Sequence, residues 1–369
     1  MPHHYRAAAT AAALLWLALW PVAAWARFDF TASQVSPVPL STAELAAILD
    51  QRATTTPYLD AYGQSVTEQA SGRTAGLAPL KVVQTDDPKH PYLGVFHAQV
   101  RPDRFAAYAA YSRDLAHWHL LGAIDNFAAG QFASQPDIRI LSDDSVLYAE
   151  EYHPKGKRPQ VRVRHYGAAG GRSGLQRFLA NPEIEPTEQK VLPPIDGDSK
   201  ADGTPEFARI DYRGAIGNSR IEITHHYYNL GRRDIQADGM LDDFRSWSDH
   251  PDKARDRLLT AAGGTGKIGD RELFRVGDTV YEIVEAQVHP QSGGDFSSWR
   301  LFLVNRTTGT VQQLHPALRG GARSLGNPSV SFVRLPDGTP ALVFTCFVFS
   351  ESRGATPAGG HIYVYRLGD

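Results

Sequence analysis

Five short steps, four of them X-Pro, recur along the chain, and each opens an alternating strand that turns back through a hairpin. They are Ala78-Pro79-Leu80, Gln135-Pro136-Asp137, Thr204-Pro205-Glu206, Asp270-Arg271-Glu272 and Asn327-Pro328-Ser329. Their central residues lie 57 to 69 positions apart, longer than common solenoid repeats and long enough for one four-stranded propeller blade with insertions. In a propeller every innermost strand starts at one central funnel. Residues far apart in sequence then meet in a single place.

The hairpins carry the alignment. After Pro136 the chain reads Asp137-Ile138-Arg139-Ile140-Leu141, turns at Ser142-Asp143-Asp144-Ser145 and continues Val146-Leu147-Tyr148-Ala149-Glu150. After Pro328 the same order recurs as Val330-Ser331-Phe332-Val333, a turn at Pro336-Asp337-Gly338, then Ala341-Leu342-Val343-Phe344. Asp-Gly between two alternating apolar runs is a strong hairpin signal. The pattern predicts an all-β chain, a five-bladed β-propeller over residues 77–369. With 369 residues the chain can bury a large core. Its formal net charge of −2 provides no single-signed field for nucleic acid or an anionic membrane.

The N-terminus reads as an address. Arg6 precedes a run rich in Ala and Leu over residues 7–24, and Ala24-Trp25-Ala26 has the small-x-small pattern of a cleavage site. This predicts a signal peptide over residues 1–26 and an exported protein, periplasmic or extracellular, without membrane contact after cleavage. The run is short for a spanning helix. The single cysteine, Cys346, lies inside a strand and reads as a buried core residue.

Residues 27–76 differ in character. Ser41-Thr42-Ala43-Glu44 is a capping box that predicts a short helix to about Leu49 or Arg52. The C-terminal run from His361 to Arg366 reads as a third strand of the fifth unit with no fourth after it. Phe28-Asp29-Phe30-Thr31 is therefore expected to supply the missing outer edge, closing the ring of a monomer.

The segment Ser112-Arg113-Asp114-Leu115-Ala116-His117-Trp118 resembles the Ser-x-Asp-Leu-x-x-Trp turn of the five-bladed propeller glycosidases, the superfamily holding glycoside hydrolase families 43, 32 and 68. Weaker echoes are Asp243-Phe244-Arg245-Ser246-Trp247 and Phe296-Ser297-Ser298-Trp299. The tryptophans are expected to plug blade edges. The turn covers one blade, and the five-unit rhythm extends the similarity to the rest of the ring at the level of architecture. The resemblance implies a carbohydrate substrate and hydrolysis of an O-glycosidic bond. It also implies three carboxyl groups at the funnel: a first-blade base or nucleophile, a second that tunes it, and a glutamate that protonates the leaving oxygen.

Strand starts and second-strand ends lie on the same face, so the site is sought there. The strand starts supply Asp137, Glu206, Asp270 and Glu272 as candidate catalytic groups. Glycoside cleavage needs two carboxyls in different environments, and Asp137 with Glu206 is the natural pair. The second-strand ends supply His97, His153, His225 or His226, and His289. Gln135, His153, His226, Tyr228, Arg271, His289 and Asn327 are the expected substrate-binding residues. The stretch from Asn229 to Gly239 is expected as a polar loop on the same face, where Arg232-Arg233 can hold acidic sugars. The first unit departs from the resemblance: its step carries no acid, and Asp86-Asp87-Pro88 falls in the turn at the opposite face.

Two alternatives remain open: a glycan-binding propeller without catalysis, and a polysaccharide lyase using His226 and Tyr228. The run Gly263-Gly264-Thr265-Gly266-Lys267-Ile268 is not a phosphate loop, since Ala261 replaces the first glycine and Ile268 the hydroxyl residue. A calcium or zinc site is compatible with the His and Asp content, but no tight ligand spacing points to one, so neither metal nor cofactor is expected.

Overall fold

The computed structural model describes residues 29–50, 59–62, 80–101, 104–125, 130, 132–195, 199–229, 234–290, 295–316, 323–352 and 359–368. For 59–62, 199–201, 228–229 and 234–235 it describes the backbone alone. The expected signal peptide and Ala78-Pro79 lie outside these residues, as do Arg232-Arg233.

The described strands form five four-stranded antiparallel sheets. The first contains β2 (Lys81–Gln84), β3 (Tyr92–Arg101), β4 (Arg104–Ser112) and β5 (Trp118–Ala123). The second holds β6 (Phe132–Ile140), β7 (Val146–His153), β8 (Gln160–Tyr166) and β9 (Glu188–Val191). In the third are β10 (Ser199–Asp211), β11 (Arg220–Asn229), β12 (Asp234–Asp242) and β13 (Ser246–Pro251). The fourth comprises β14 (Ile268–Val276), β15 (Thr279–Gln287), β16 (Trp299–Asn305) and β17 (Thr310–Gln313). The fifth runs β18 (Leu325–Arg334), β19 (Pro340–Val348), β20 (Gly359–Arg366) and β1 (Leu59–Tyr62). Innermost strands β2, β6, β10, β14 and β18 each touch the next, and β18 touches β2. The ring is closed, and the chain is a five-bladed β-propeller.

The closing strand is not the expected one. Leu59 pairs with Val364 and Tyr62 with His361, so β1 supplies the outer edge of blade five. Asp29 instead exchanges backbone hydrogen bonds with Ile210, and the Gln34 side-chain amide donates to Phe207 O at 2.9 Å and Leu273 O at 3.1 Å. Residues 29–36 thus cross the hairpin face of blades three and four.

Helix α1 (Thr42–Leu49) explains the exchange. Its capping box forms as expected, with Glu44 N donating to Ser41 Oγ at 3.2 Å and Ser41 N to Glu44 Oε2 at 2.7 Å. Leu45, Ile48 and Leu49 enter the core that Phe274, Phe332, Leu342 and Tyr363 form between blades four and five. The helix is anchored at that interface, and the strand after it rather than before it meets blade five.

Similar apolar clusters join blades five and one, one and two, and two and three. Cys346 is buried in the cluster between blades four and five. In the turn after β4, Asp114 Oδ1 accepts from the Ala116 and His117 amides at 2.9 and 2.8 Å, and Trp118 Nε1 donates to Leu115 O at 2.8 Å. Leu115 and Trp118 are buried, so the turn plugs its blade as expected.

The expected loop from Asn229 to Gly239 is largely strand, because β12 begins at Asp234. Gly239, at the end of that stretch, serves packing: a Cβ there would lie 2.1 Å from the Trp247 ring.

Candidate functional site

Three of the five steps are β-bulges in which the residue before proline takes a left-handed conformation: Gln135 (φ 48°), Thr204 (φ 44°) and Asn327 (φ 45°). Such backbone is unusual for residues other than glycine and is associated with functional sites. At the end of each step, or in the first blade just after it, one residue of the innermost strand holds an equivalent place. By register these are Lys81, Asp137, Glu206, Glu272 and Ser329, opposite Val95, Ala149, Thr224, Ile283 and Thr345.

This inner tier is buried and fully engaged. Asp137 Oδ2 accepts from Phe207 N at 2.7 Å, Oδ1 from Ile138 N at 2.8 Å, and Arg139 Nη1 lies 2.5 Å away. Glu206 Oε1 accepts from Leu273 N. Glu272 binds Arg139 Nη2 at 2.6 Å and Ser329 Oγ at 3.0 Å. Lys81 Nζ sits 3.2 Å from Asp270 Oδ1, 3.5 Å from Glu272 Oε2 and 3.0 Å from Arg271 O. Burial, reinforced by Glu272, pushes the Glu206 carboxyl well above its ordinary range, against the pull of Lys81 and Arg139. Burial likewise raises Asp270, against Lys81 and Arg271, and Glu272, against Arg139 and Lys81.

The ring therefore brings the four sequence-predicted carboxyls together, but at 0–2 % exposure. Their oxygens tie one blade to the next. The first-blade position lacking an acid is followed by Lys81, a cation that sequence reasoning passed over.

Two residues further along each second strand lies another equivalent set: His97, Glu151, His226, Glu285 and Phe347. Glu151 Oε1 is 3.1 Å from His153 Nε2, and its Oε2 accepts from Thr204 N at 3.4 Å. Burial opposes its ionisation, but His153, the nearby His226 and the Thr204 amide outweigh it and hold the carboxyl below the usual range. Glu285 Oε1 accepts from Asp270 N at 2.8 Å and Oε2 from Asn327 N at 2.7 Å. Burial and the Asp270 charge push this carboxyl up to about 8. Burial holds His97 down to about 4 and His226 to about 3, so both rings are neutral near pH 7. His97 Nδ1 accepts from Gln135 N at 3.0 Å.

Glycines make room for the two glutamates. A Cβ on Gly203 would lie 2.1 Å from Glu151 Oε2, one on Gly326 2.3 Å from Glu285 Oε2, and one on Gly269 1.9 Å from Glu285 Oε1.

The expected binding residues are distributed around this tier. His153 also meets Ser134 Oγ at 3.1 Å. Half-buried Gln135 donates to Asn327 Oδ1 at 3.2 Å, spanning from blade two to blade five. Arg271 is fully buried and donates to Thr204 Oγ1 at 3.1 Å and Gly269 O at 2.7 Å, which ties two bulges together. Burial lowers its guanidinium to about 10. The Thr204 hydroxyl also meets His226 Nδ1. His225 is buried beside Asp249, at 3.3 Å. His289 is exposed and lies past the end of β15, outside the tier. Tyr228 lies on β11, but its side chain is outside the described residues.

Sequence reasoning missed Glu151, Glu285 and Phe347. The available signal was register: each lies two residues beyond the strand partner of an inner-tier residue. Among the described residues no group of three or more His, Cys, Asp or Glu is set to hold a metal ion. A cavity of about 740 Å³ lies on the opposite, hairpin face beside residues 29–35, lined by Val83, Ile140, Tyr212 and Phe332 among others. It contains neither tier.

No family model matches the sequence, and no curated protein does. Among solved structures, the chain is similar to a thermostable family-43 glycoside hydrolase, with 12% identity, 82% of this chain and 93% of that chain covered, and a TM-score of 0.47. It is similar to an endo-arabinase from Bacteroides thetaiotaomicron VPI-5482 at 10% identity, covering 80% and 95%, TM-score 0.48. An exo-1,5-alpha-L-arabinanase from a bovine ruminal metagenomic library matches at 13% identity, covering 78% and 91%, TM-score 0.46. At such identities the likeness is one of scaffold, which the closed ring of five sheets establishes by itself: this chain is a five-bladed β-propeller.

Proposed function

We propose that the chain hydrolyses a glycosidic bond at the mouth of the propeller, with Glu285 protonating the leaving oxygen and Glu151 activating the attacking water. The reading rests on one observation: two carboxyls occupy equivalent places around the same mouth, and their surroundings hold one neutral and the other ionised near pH 7. Glycoside hydrolysis requires that division of labour. Neutral His226 and His97, with His153, then position sugar hydroxyls, and Gln135 and Asn327 frame the entrance. Asp137, Glu206, Asp270 and Glu272 act from below, fixing the bulges that carry the mouth.

The substrate is a poly- or oligosaccharide. Arabinan and xylan are the first to test, since similar structures carry arabinanase and xylanase names. Reducing ends released from a panel of plant and bacterial polysaccharides are the measurement. Binding without release would replace hydrolysis by the glycan-binding reading, and unsaturated products would favour the lyase.

The rate is expected to follow a bell in pH. Its acid limb lies below the ordinary glutamate value, where Glu151 gains a proton, and its alkaline limb near pH 8, where Glu285 loses one. A rate still rising at pH 9 would remove Glu285 from the acid role. Gly203→Ala is expected to cut activity by at least about tenfold by displacing Glu151, with a circular-dichroism spectrum unchanged. Full activity in that variant would show that the Glu151 position is not critical.

The N-terminal run supports export, so action outside the cytoplasm is part of this reading. N-terminal sequencing of the exported protein is expected to begin at Arg27, and retention of the first residues would contradict it.

A further inference from the structure

Beside Glu285 the mouth carries an aromatic surface that the hydrolytic pair does not use. Phe296, from the connection between β15 and β16, stacks on Phe349 with ring centroids 4.7 Å apart and planes within 12°, and Phe347 meets Phe349 edge-on at 5.2 Å. Phe296 is 37% exposed, which makes it one of the few large apolar side chains open to solvent among the described residues. The stack is held rather than loose: Ser324 Oγ donates to Phe296 O, and Phe349 N donates to Ser324 O at 3.1 Å.

The platform adjoins the candidate acid. The place a Gly326 Cβ would take lies 2.3 Å from Glu285 Oε2 and 2.7 Å from the Phe349 ring. A sugar whose glycosidic oxygen reaches Glu285 therefore has an aromatic face next to it. Rigid rings bind the C–H face of a sugar at low entropic cost.

Two arginines come from the chain segments that carry this stack. Arg300 Nη1 donates to Ser297 O at 2.9 Å and to Trp299 O at 2.7 Å, which anchors it next to Phe296. Arg323 immediately precedes Ser324, which holds the stack. Burial, with Arg323 close by, lowers the Arg300 guanidinium from its ordinary value. Neither arginine forms an ion pair with a carboxylate among the described residues. Two neighbouring cations without a counter-ion are unfavourable unless an anion joins them.

We propose that Phe296 and Phe349, with Arg300 and Arg323, form a subsite for an acidic sugar, a uronate whose ring lies on the platform and whose carboxylate is bound by the guanidinium pair. This deepens the hydrolytic reading, on which its place beside Glu285 rests. It implies a substrate with uronic acid next to the cleaved bond.

Binding tests it separately from turnover. Trigalacturonate and its carboxyl-reduced, neutral counterpart are titrated into the full chain by calorimetry at low salt. The acidic trimer is expected to bind at least about tenfold more tightly. Arg300→Gln with Arg323→Gln should erase that difference while leaving the neutral trimer's affinity unchanged, and Phe296→Ala should weaken both. Equal affinities for the two trimers, no heat from either, or a preference that survives the double arginine variant would each overturn the subsite. Binding without cleavage would keep the subsite and remove the hydrolytic reading. Cleavage of neutral glycans with indifference to uronates would do the reverse.

Discussion

Glutamine in place of Glu285 is expected to slow hydrolysis of a natural glycan by about 10²- to 10⁴-fold, the usual weight of general acid catalysis. The amide cannot deliver a proton, and the alkaline limb near pH 8 should disappear with the group that creates it. The substitution also turns one side-chain oxygen into a donor facing either the Asp270 or the Asn327 amide, since both oxygens are accepting. Some loss of stability will accompany it, about 1–3 kcal/mol for a buried donor left without an acceptor. Nitrophenyl glycosides separate the two effects, because their leaving group departs without protonation. The variant should keep most of its rate on them. An equally large loss on both substrates would assign Glu285 a positioning part and remove it from proton transfer.

Stability offers a second readout of the same group. A carboxyl whose folded value is raised stabilises the fold fully below its unfolded value, and that contribution is lost as pH rises through the folded one. For Glu285 the window runs from about pH 4.5 to about 8. The glutamine variant should lose less stability across that window than the parent chain.

The other large effect concerns the axis. Lys81→Met is expected to cost about 3–5 kcal/mol, the usual penalty for stranding buried charge by removing its partner. The ammonium lies within 3.5 Å of Asp270 and Glu272 and opposes the upward push that burial exerts on the Glu206 carboxyl. Methionine keeps the length and apolar stem but leaves these carboxyls to Arg139 and to hydrogen bonds. Their proton affinities would rise further, so the variant should suffer less at pH 5 than at pH 8. Urea denaturation at both values measures this. A midpoint unchanged at pH 8 would mean that the cation is dispensable to the ring.

The architecture was legible because it is periodic. Five hairpins with apolar alternation fixed the blades and the face, and the Asp114 turn behaved as its residues suggested. The closing strand was misread because Phe28 to Thr31 and Leu59 to Tyr62 are both short, weakly patterned runs. What separates them is the docking of Leu45, Ile48 and Leu49, a long-range packing event. The site was only half legible for a related reason. Residues just after proline stand out in the sequence, so Asp137 and Glu206 drew attention, yet those positions face a buried axis. Glu151 and Glu285 sit in ordinary strand sequence. His153 and His289, read as second-strand ends, pointed beyond them, and only strand register places both at the mouth. The glycines that admit them, Gly203 and Gly326, stand just before the repeating step and carry no side chain to announce a role.

The pairing of β1 with β20 sets the order in which the molecule can assemble. One partner is near the start of the chain and the other near its end, so the closing contacts form only after all the intervening blades have been made. Such distant pairing carries a large loop-closure cost before any reward, which slows folding. Until then blade five presents the open edge of β20, a surface able to recruit strands from other molecules. Refolding yield should therefore fall with protein concentration, and a synthetic peptide spanning Leu59–Tyr62 and its flanks should compete for that edge during refolding.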